Sequence, residues 1–130
     1  MARSPRRSPG PALPTALALA LEAADDRKAT DIVALDLRSL NDATDFFVIA
    51  SGTSDAHVRG IADLVLERLA ESSIRPHHIE GLSNGRWVLL DFVDIVVHLF
   101  HPEARSFYQL ERLWSDAPRV IAPARQERKV

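Results

Sequence analysis

The sequence predicts an α/β fold, in which a single mixed β-sheet of about five strands is flanked by helices. Its 130 residues suit one domain with a hydrophobic core and are too few for two. Several short apolar stretches end at Gly, Pro, Asn or Ser, which is typical of strands. Between them, longer segments carry apolar residues at helical spacing. The predicted order of elements is therefore α-β-β-α-β-β-β-α.

In the first third of the domain, the pattern of apolar residues predicts one helix and two strands. The helix covers residues 15–28, where apolar residues recur on one face after Pro14, a residue that suits an opening turn. The strands cover residues 32–37 and 46–51, with a turn at Asn41 between them. Because the second strand is apolar on both faces, we expect it at the centre of the sheet, covered on two sides.

The clearest predicted element is the second helix. Ser54 is its expected N-cap, since its hydroxyl can accept a backbone N–H, and Asp55 suits the positive end of the helix dipole. The helix ends before Pro76. Its apolar residues fall on one face: Val58, Ile61, Ala62, Val65, Leu66 and Leu69.

In the last part of the domain, the apolar runs and turn residues predict three strands and a helix. A short strand at 77–80 is followed by a Gly-rich turn at 81–85 and a longer strand at 86–92. A further strand at 94–101 is apolar on both faces and ends at a proline. That proline opens a helix predicted over 102–114, because proline is tolerated in the first helical turn.

Both ends of the chain are predicted to be disordered basic tails. Residues 1–14 are rich in Pro, Arg and Ser, residues 119–130 are again basic, and the domain covers 15–118. The apolar run that follows the first tail resembles a secretory signal, and a mitochondrial presequence also fits its composition, but the run is short and ends at Glu22. No apolar stretch approaches the roughly 20 residues that span a bilayer. We therefore expect a protein of the bacterial cytoplasm.

The net charge of −2 conceals a strongly acidic body. Residues 1–21 carry +3 and residues 119–130 carry +3, so residues 22–118 carry −8, from 9 basic and 17 acidic residues. An acidic body repels nucleic acid phosphates and attracts a basic protein. We expect no specific nucleic acid partner.

The residue types argue against metal and cofactor chemistry. The absence of cysteine excludes disulfides and thiolate ligands. His98 and His101, three residues apart on a strand, point to opposite faces, and adding His77 and His78 brings no matching carboxylate spacing. We predict neither a metal site nor a cofactor.

The acidic pair Asp91 and Asp94 is the nearest approach to an enzyme site. With the Gly-Thr-Ser turn at 52–54, it resembles a nucleotidyltransferase arrangement, which requires two carboxylates on one strand face for Mg²⁺. These two are an odd number apart and flank a turn, and the turn at 52–54 lacks the glycines and lysine of a phosphate loop. We predict no catalytic residue.

Aromatic residues flanked by acids form a composition suited to docking a basic protein, although aromatics at these spacings are also common in cores. The two groups are Trp87 with Asp91 and Asp94, and Tyr108 and Trp114 with Glu103 and Glu111.

Three segments together resemble the ribosomal silencing factor (Iojap-like) family. Residues 45–59, DFFVIASGTSDAHVR, resemble its first signature. Residues 87–91, WVLLD, with residues 94–116, DIVVHLFHPEARSFYQLERLWSD, resemble its second. With the strand at 31–37, the resemblance covers about residues 15–118.

The resemblance implies a regulator that is not an enzyme. Family members bind the large ribosomal subunit through its ribosomal protein fourteen and block joining of the small subunit when nutrients are short. The family fold is a mixed sheet with helices, distantly similar to nucleotidyltransferases, and isolated members tend to be homodimers. Many members have Gly at the position of Val93, so we expect a wider turn there.

Joined to the acidic body, the resemblance yields a site hypothesis. Trp87, Tyr108 and Trp114 are the apolar anchors, and the four acids above meet basic residues of the partner. His98, Phe100 and Arg105 orient or support this surface, or lie in the core. Two alternatives stay open: a degenerate nucleotidyltransferase that binds a nucleotide at residues 52–54, and a dimeric adaptor.

Overall fold

The structure, a computed structural model, describes residues 14–40, 44–108 and 117–120. These residues contain five strands and three helices in the predicted order. The elements are α1 (Thr15–Asp26), β1 (Thr30–Asp36), β2 (Phe46–Ser51), α2 (Asp55–Glu71), β3 (His78–Glu80), β4 (Trp87–Asp91), β5 (Ile95–Phe100) and α3 (Pro102–Tyr108).

The five strands form one mixed sheet in the order β1-β2-β5-β4-β3. β2 and β5 run parallel at its centre, and every other neighbouring pair is antiparallel. A parallel pair needs a long crossover connection, and here α2, β3 and β4 lie between the two strands in the chain. The predicted fold class and the central position of β2 are confirmed.

One face of the sheet is covered by α1 and α2. The alternate residues Phe46, Val48 and Ala50 of β2 are buried against these helices, together with Val97 and Leu99 of β5. Residues two apart on a strand share a face, so each strand contributes its apolar side chains to the same core.

The start of α2 follows the predicted capping chemistry. The Ser54 hydroxyl accepts the N–H of His57 at 3.0 Å, and Asp55 occupies the first turn. This cap fixes the exit of the chain from the carboxyl end of β2, and α2 then packs on the sheet with Val58, Ile61 and Val65 fully buried.

The opposite face holds a second, smaller apolar cluster. Leu35, Ile49 and Phe100 are buried there with Ala104 of α3 and Ala117. Residues 117–120 run beside β1: the N–H of Val120 donates to the Ala34 carbonyl at 2.7 Å. Residues 117–120 therefore pack on the sheet edge, at the place where the sequence predicts the change from domain to tail.

Several elements differ from the prediction by one or two residues at an end: α1 ends at Asp26 rather than 28, β3 begins at His78 rather than 77, and β4 spans Trp87–Asp91 rather than 86–92. β1 begins at Thr30, two residues early, because Thr30 pairs with Ser51 across a bulge that the apolar pattern does not reveal. β5 is predicted over 94–101 and spans Ile95–Phe100. The predicted last helix begins at Pro102 as expected and is described to Tyr108; its predicted remainder lies outside the described residues.

The turn between β4 and β5 is not widened at Val93. The N–H of Asp94 donates to the Phe92 carbonyl at 2.9 Å, which closes a three-residue γ-turn around Val93 at φ +76°. A β-branched residue is strained in this left-handed region, where glycine is not. The Asp91 carboxylate accepts the Val93 N–H at 2.8 Å and holds the turn closed. Val93 therefore keeps the tight turn at a cost in backbone strain.

Replacing Val93 with glycine is expected to stabilise the protein by about 1 kcal/mol. The substitution relieves the positive φ, and little burial is lost because Val93 is 53% exposed. Urea denaturation of the two proteins measures the difference in the free energy of unfolding. Val96→Gly, the same chemical change at an ordinary strand position, is the control and should destabilise. A lower urea midpoint for Val93→Gly than for the wild type would contradict the conclusion that Val93 is strained.

Candidate interaction surface

The antiparallel pairing of β4 and β5 brings four rings together on one face of the sheet. Trp87 lies opposite Phe100, with ring centroids 5.1 Å apart, and His98 lies next along β5. Phe47 of β2 and His98 form a T-shaped pair with ring centroids 4.6 Å apart. These residues, Phe47, Trp87, His98 and Phe100, form the aromatic cluster.

A hydrogen bond fixes the half-buried Trp87 within the aromatic cluster. Its Nε1–H donates to Nδ1 of His98 at 3.2 Å. Nδ1 is therefore the acceptor, and the proton of the neutral ring lies on Nε2, which is buried and has no partner among the described residues. Burial lowers the pKa of His98 from 6.5 to about 4, so the ring is neutral near pH 7.

Acidic residues gather at the turn next to the Phe47 end of the aromatic cluster. Asp91 ends β4 on the same face as Trp87, and Asp94 follows the turn and is exposed. The N–H of Asp45, just before β2, donates to the Asp94 carbonyl at 2.9 Å, so a third acidic residue joins them. Asp45, Asp91 and Asp94 form the acidic turn, with the exposed Val93 at its tip.

The remaining predicted site residues lie just after the carboxyl end of β5, next to Trp87 and Phe100, or beyond the described residues. Glu103 is exposed on α3 and pairs with Arg86 at 3.4 Å. Arg105 is half-buried, and its Nη1 donates to the Ser51 hydroxyl at 3.0 Å. Tyr108 is the last residue of α3, and its side chain lies outside the described part. Glu111 and Trp114 lie outside the described residues.

The structure thus brings together Trp87, His98 and Phe100, with Glu103 and Arg105 just beyond them on α3. It places Asp91 and Asp94 at the opposite end of β5. His98 is 5% exposed and Phe100 fully buried, so both lie beneath Trp87. Sequence reasoning did not assign Phe47 and Asp45 to this surface. The continuous apolar run of β2, preceded by Asp45, was the available signal.

The geometry does not favour a nucleotide at residues 52–54. The N–H of Gly52 donates to the Phe100 carbonyl at 3.0 Å, and that of Thr53 donates to Nδ1 of His57 at 2.8 Å. These amides therefore have protein acceptors and are not presented to a phosphate. Asp91 and Asp94 lie at the opposite end of β5 from this turn, so the carboxylates and the turn do not form one site.

The described residues contain no group of three or more His, Asp or Glu side chains arranged to hold a metal ion. Their helices include none with the length and apolarity needed to cross a bilayer.

His98 belongs to the aromatic cluster, whereas His101 Nε2 lies 4.0 Å from the Asp55 carboxylate at the start of α2. The two histidines face different surroundings, as their odd spacing predicted.

Fold and surface together define a small single-sheet α/β protein whose described residues present an aromatic cluster and an acidic turn. The model of the family described as "Ribosomal silencing factor during starvation" matches residues 11–130. The chain belongs to this ribosomal silencing factor family. A ribosomal silencing factor is a regulatory, non-catalytic protein of translation.

Relatives and a solved structure agree with this assignment. The ribosomal silencing factor of Bacillus subtilis is 44% identical over 102 residues, covering 78% of this chain and 86% of the relative. The mouse protein named "Mitochondrial assembly of ribosomal large subunit protein 1" is 36% identical over 90 residues, covering 67% of this chain and 40% of that protein. A crystal structure from Chromobacterium violaceum matches with a TM-score of 0.75 and 36% identity, covering 77% of this chain and 83% of that one.

Proposed function

We propose that this protein docks on the large ribosomal subunit through its ribosomal protein fourteen, and thereby blocks association with the small subunit and represses translation under nutrient limitation. It acts in the bacterial cytoplasm without catalysis or a cofactor. The observation that carries the proposal is the aromatic cluster beside the acidic turn, on a body with a net charge of −8.

The aromatic cluster has the properties of an interface anchor. Trp87 is half-buried, so part of the ring is available to a partner, and its hydrogen bond to His98 limits the rotamers that must be frozen on binding. Large aromatic side chains in well-packed surroundings contribute a disproportionate share of binding energy. His98 and Phe100 support Trp87 from below and are positioning residues.

The acidic turn supplies charge complementarity. Ribosomal proteins are basic, and Asp94 is exposed next to Asp91 and Asp45. Opposite charges steer association and suppress approach to bare RNA. Since a steric blocker needs a docking surface and bulk rather than reacting groups, this arrangement is sufficient for the proposed activity.

The name of the mouse relative connects that protein with the large ribosomal subunit, which supports the same subunit as the partner here. We also propose that the isolated chain is a homodimer, which light scattering would show as a doubled mass. A monomeric mass at all concentrations would remove this part of the proposal.

Sedimentation with purified ribosomal subunits is the direct test. We expect the chain to migrate with the large subunit and not with the small one, and to lower the yield of joined ribosomes. Trp87→Ala is expected to weaken binding about 30-fold, the loss of about 2 kcal/mol typical of an interface anchor. Asp94→Lys is expected to weaken it about tenfold, more at low salt than at high salt.

The control for charge is Asp63→Lys, the same change on the exposed side of α2, away from the aromatic cluster. This variant should bind nearly as the wild type does. Wild-type affinity in both Trp87→Ala and Asp94→Lys would remove this surface from consideration, and absence of the chain from the large-subunit fraction would remove the proposed function.

A further inference from the structure

A cleft of about 600 Å³ lies at the carboxyl end of β2, away from the acidic turn. Its walls come from the start of β1, the end of β2, the first turns of α3 and Arg119. Clefts of this size hold small ligands, and the carboxyl ends of parallel strands in open α/β sheets are the usual place for them. The docking surface proposed above does not use this cleft.

Two arginines, Arg105 and Arg119, line the cleft. Arg105 donates from Nη1 to the Ser51 hydroxyl at 3.0 Å, which holds its guanidinium at the wall. Arg119 is exposed and is held beside β1 by its backbone bridge to Leu35. Guanidinium groups bind phosphate by paired, charge-assisted hydrogen bonds. The pair forms a local basic site on an otherwise acidic body.

The third wall contains a backbone irregularity. Asp31 has φ +52° and lies in the bulge of β1 between Thr30 and Val33, which interrupts the regular alternation of the strand. Asp31 is exposed and lines the cleft. Bulges of this kind frequently re-aim a side chain next to a binding site. A carboxylate repels a bare anion but accepts hydrogen bonds from sugar hydroxyls, as in dinucleotide sites.

We propose that this cleft binds a ribose phosphate, with the phosphate on Arg105 and Arg119 and the ribose hydroxyls on Asp31. Two sources carry this chemistry: a mononucleotide in solution, or a nucleotide within an RNA chain. The proposal concerns the chain by itself and does not depend on docking to a ribosomal subunit.

The test is an NMR titration of the labelled full chain with four probes: inorganic phosphate, ribose 5-phosphate, adenosine monophosphate and a five-residue oligoribonucleotide. We expect ribose 5-phosphate to bind more tightly than phosphate and to shift the amides of residues 30–33. Equal affinity for the mononucleotide and the oligoribonucleotide identifies a mononucleotide site. Tighter, salt-sensitive binding of the oligoribonucleotide identifies an RNA contact.

Matched variants assign the roles of the residues. Arg119→Met is expected to weaken every probe about tenfold, because a charge-assisted hydrogen bond is lost. Asp31→Asn, which tolerates the same positive φ, is expected to remove the preference for ribose 5-phosphate over phosphate. Arg59→Met, which removes a guanidinium on α2, should bind each probe with wild-type affinity, and Trp87→Ala should do the same.

The proposal is overturned if the Arg105→Met/Arg119→Met double variant binds ribose 5-phosphate with wild-type affinity, or if the shifts fall away from residues 30–33. Thermal unfolding of the double variant shows whether it is folded. Arg119→Met alone keeps the test valid if the double variant is not, since Arg119 is exposed. Failure of this titration leaves the sedimentation result unaffected, so the two proposals fail separately.

Discussion

Acidification from pH 6.5 to pH 4 is expected to remove about 3 kcal/mol of stability through His98 alone. His98 is buried beneath Trp87 and has its pKa lowered from 6.5 to about 4 by desolvation. In the unfolded chain it takes up a proton near pH 6.5, whereas in the folded protein it stays neutral until about pH 4. Its contribution is therefore complete above pH 6.5 and is lost as the pH falls towards 4.

The measurement is the free energy of urea unfolding at several pH values between 7 and 4, for the wild type and His98→Gln. Glutamine does not titrate, and its side-chain oxygen is an acceptor suited to the Trp87 Nε1–H. As the pH falls from 7 to 4, the free energy of unfolding of the wild type should decrease by about 3 kcal/mol relative to that of His98→Gln. The control is His78→Gln, which changes an exposed histidine of β3 paired with Glu80. Parallel pH profiles for wild type and His98→Gln would contradict the burial argument.

Gly81→Ala is expected to destabilise the protein by about 3 kcal/mol. Gly81 has φ +79° in the turn between β3 and β4, and a Cβ there would overlap the carbonyl oxygen of Trp87. That carbonyl belongs to β4, so it cannot move without disturbing the pairing of Trp87 with Phe100. The substitution combines left-handed strain with a backbone collision, and it displaces the anchor of the aromatic cluster.

Gly60→Ala is the matched control. A Cβ at Gly60 would meet the end of the Arg27 side chain, which can swing away, and alanine favours the helix that contains it. The control should change stability by no more than about 1 kcal/mol in either direction. Thermal and urea unfolding of both variants measure the effects, and equal effects of the two would show that the Trp87 carbonyl does not constrain Gly81.

Much of the fold was predictable because local chemistry and the fold agree. The continuous apolar run of β2 predicted a central strand, and the helical spacing after Ser54 predicted α2 and its cap. The bulge at Asp31 was not predictable, because it depends on how Thr30 pairs with Ser51, 21 positions along the chain. The turn at Val93 was misjudged for a similar reason: flanking hydrogen bonds hold it tight against the preference of valine.

The candidate site divides in the same way. Residue types and charges alone predicted a docking surface at Trp87, Asp91 and Asp94 and showed that the body is acidic. Sequence spacing could not show that His98 accepts the Trp87 hydrogen bond, that Phe47 completes the aromatic cluster, or that Arg105 lines a cleft at the carboxyl end of β2. Composition and periodicity are local properties of the chain, so the sequence by itself determined the elements, their order and the charge. Cross-strand register brings distant residues into contact, and only the tertiary structure decided which of them meet.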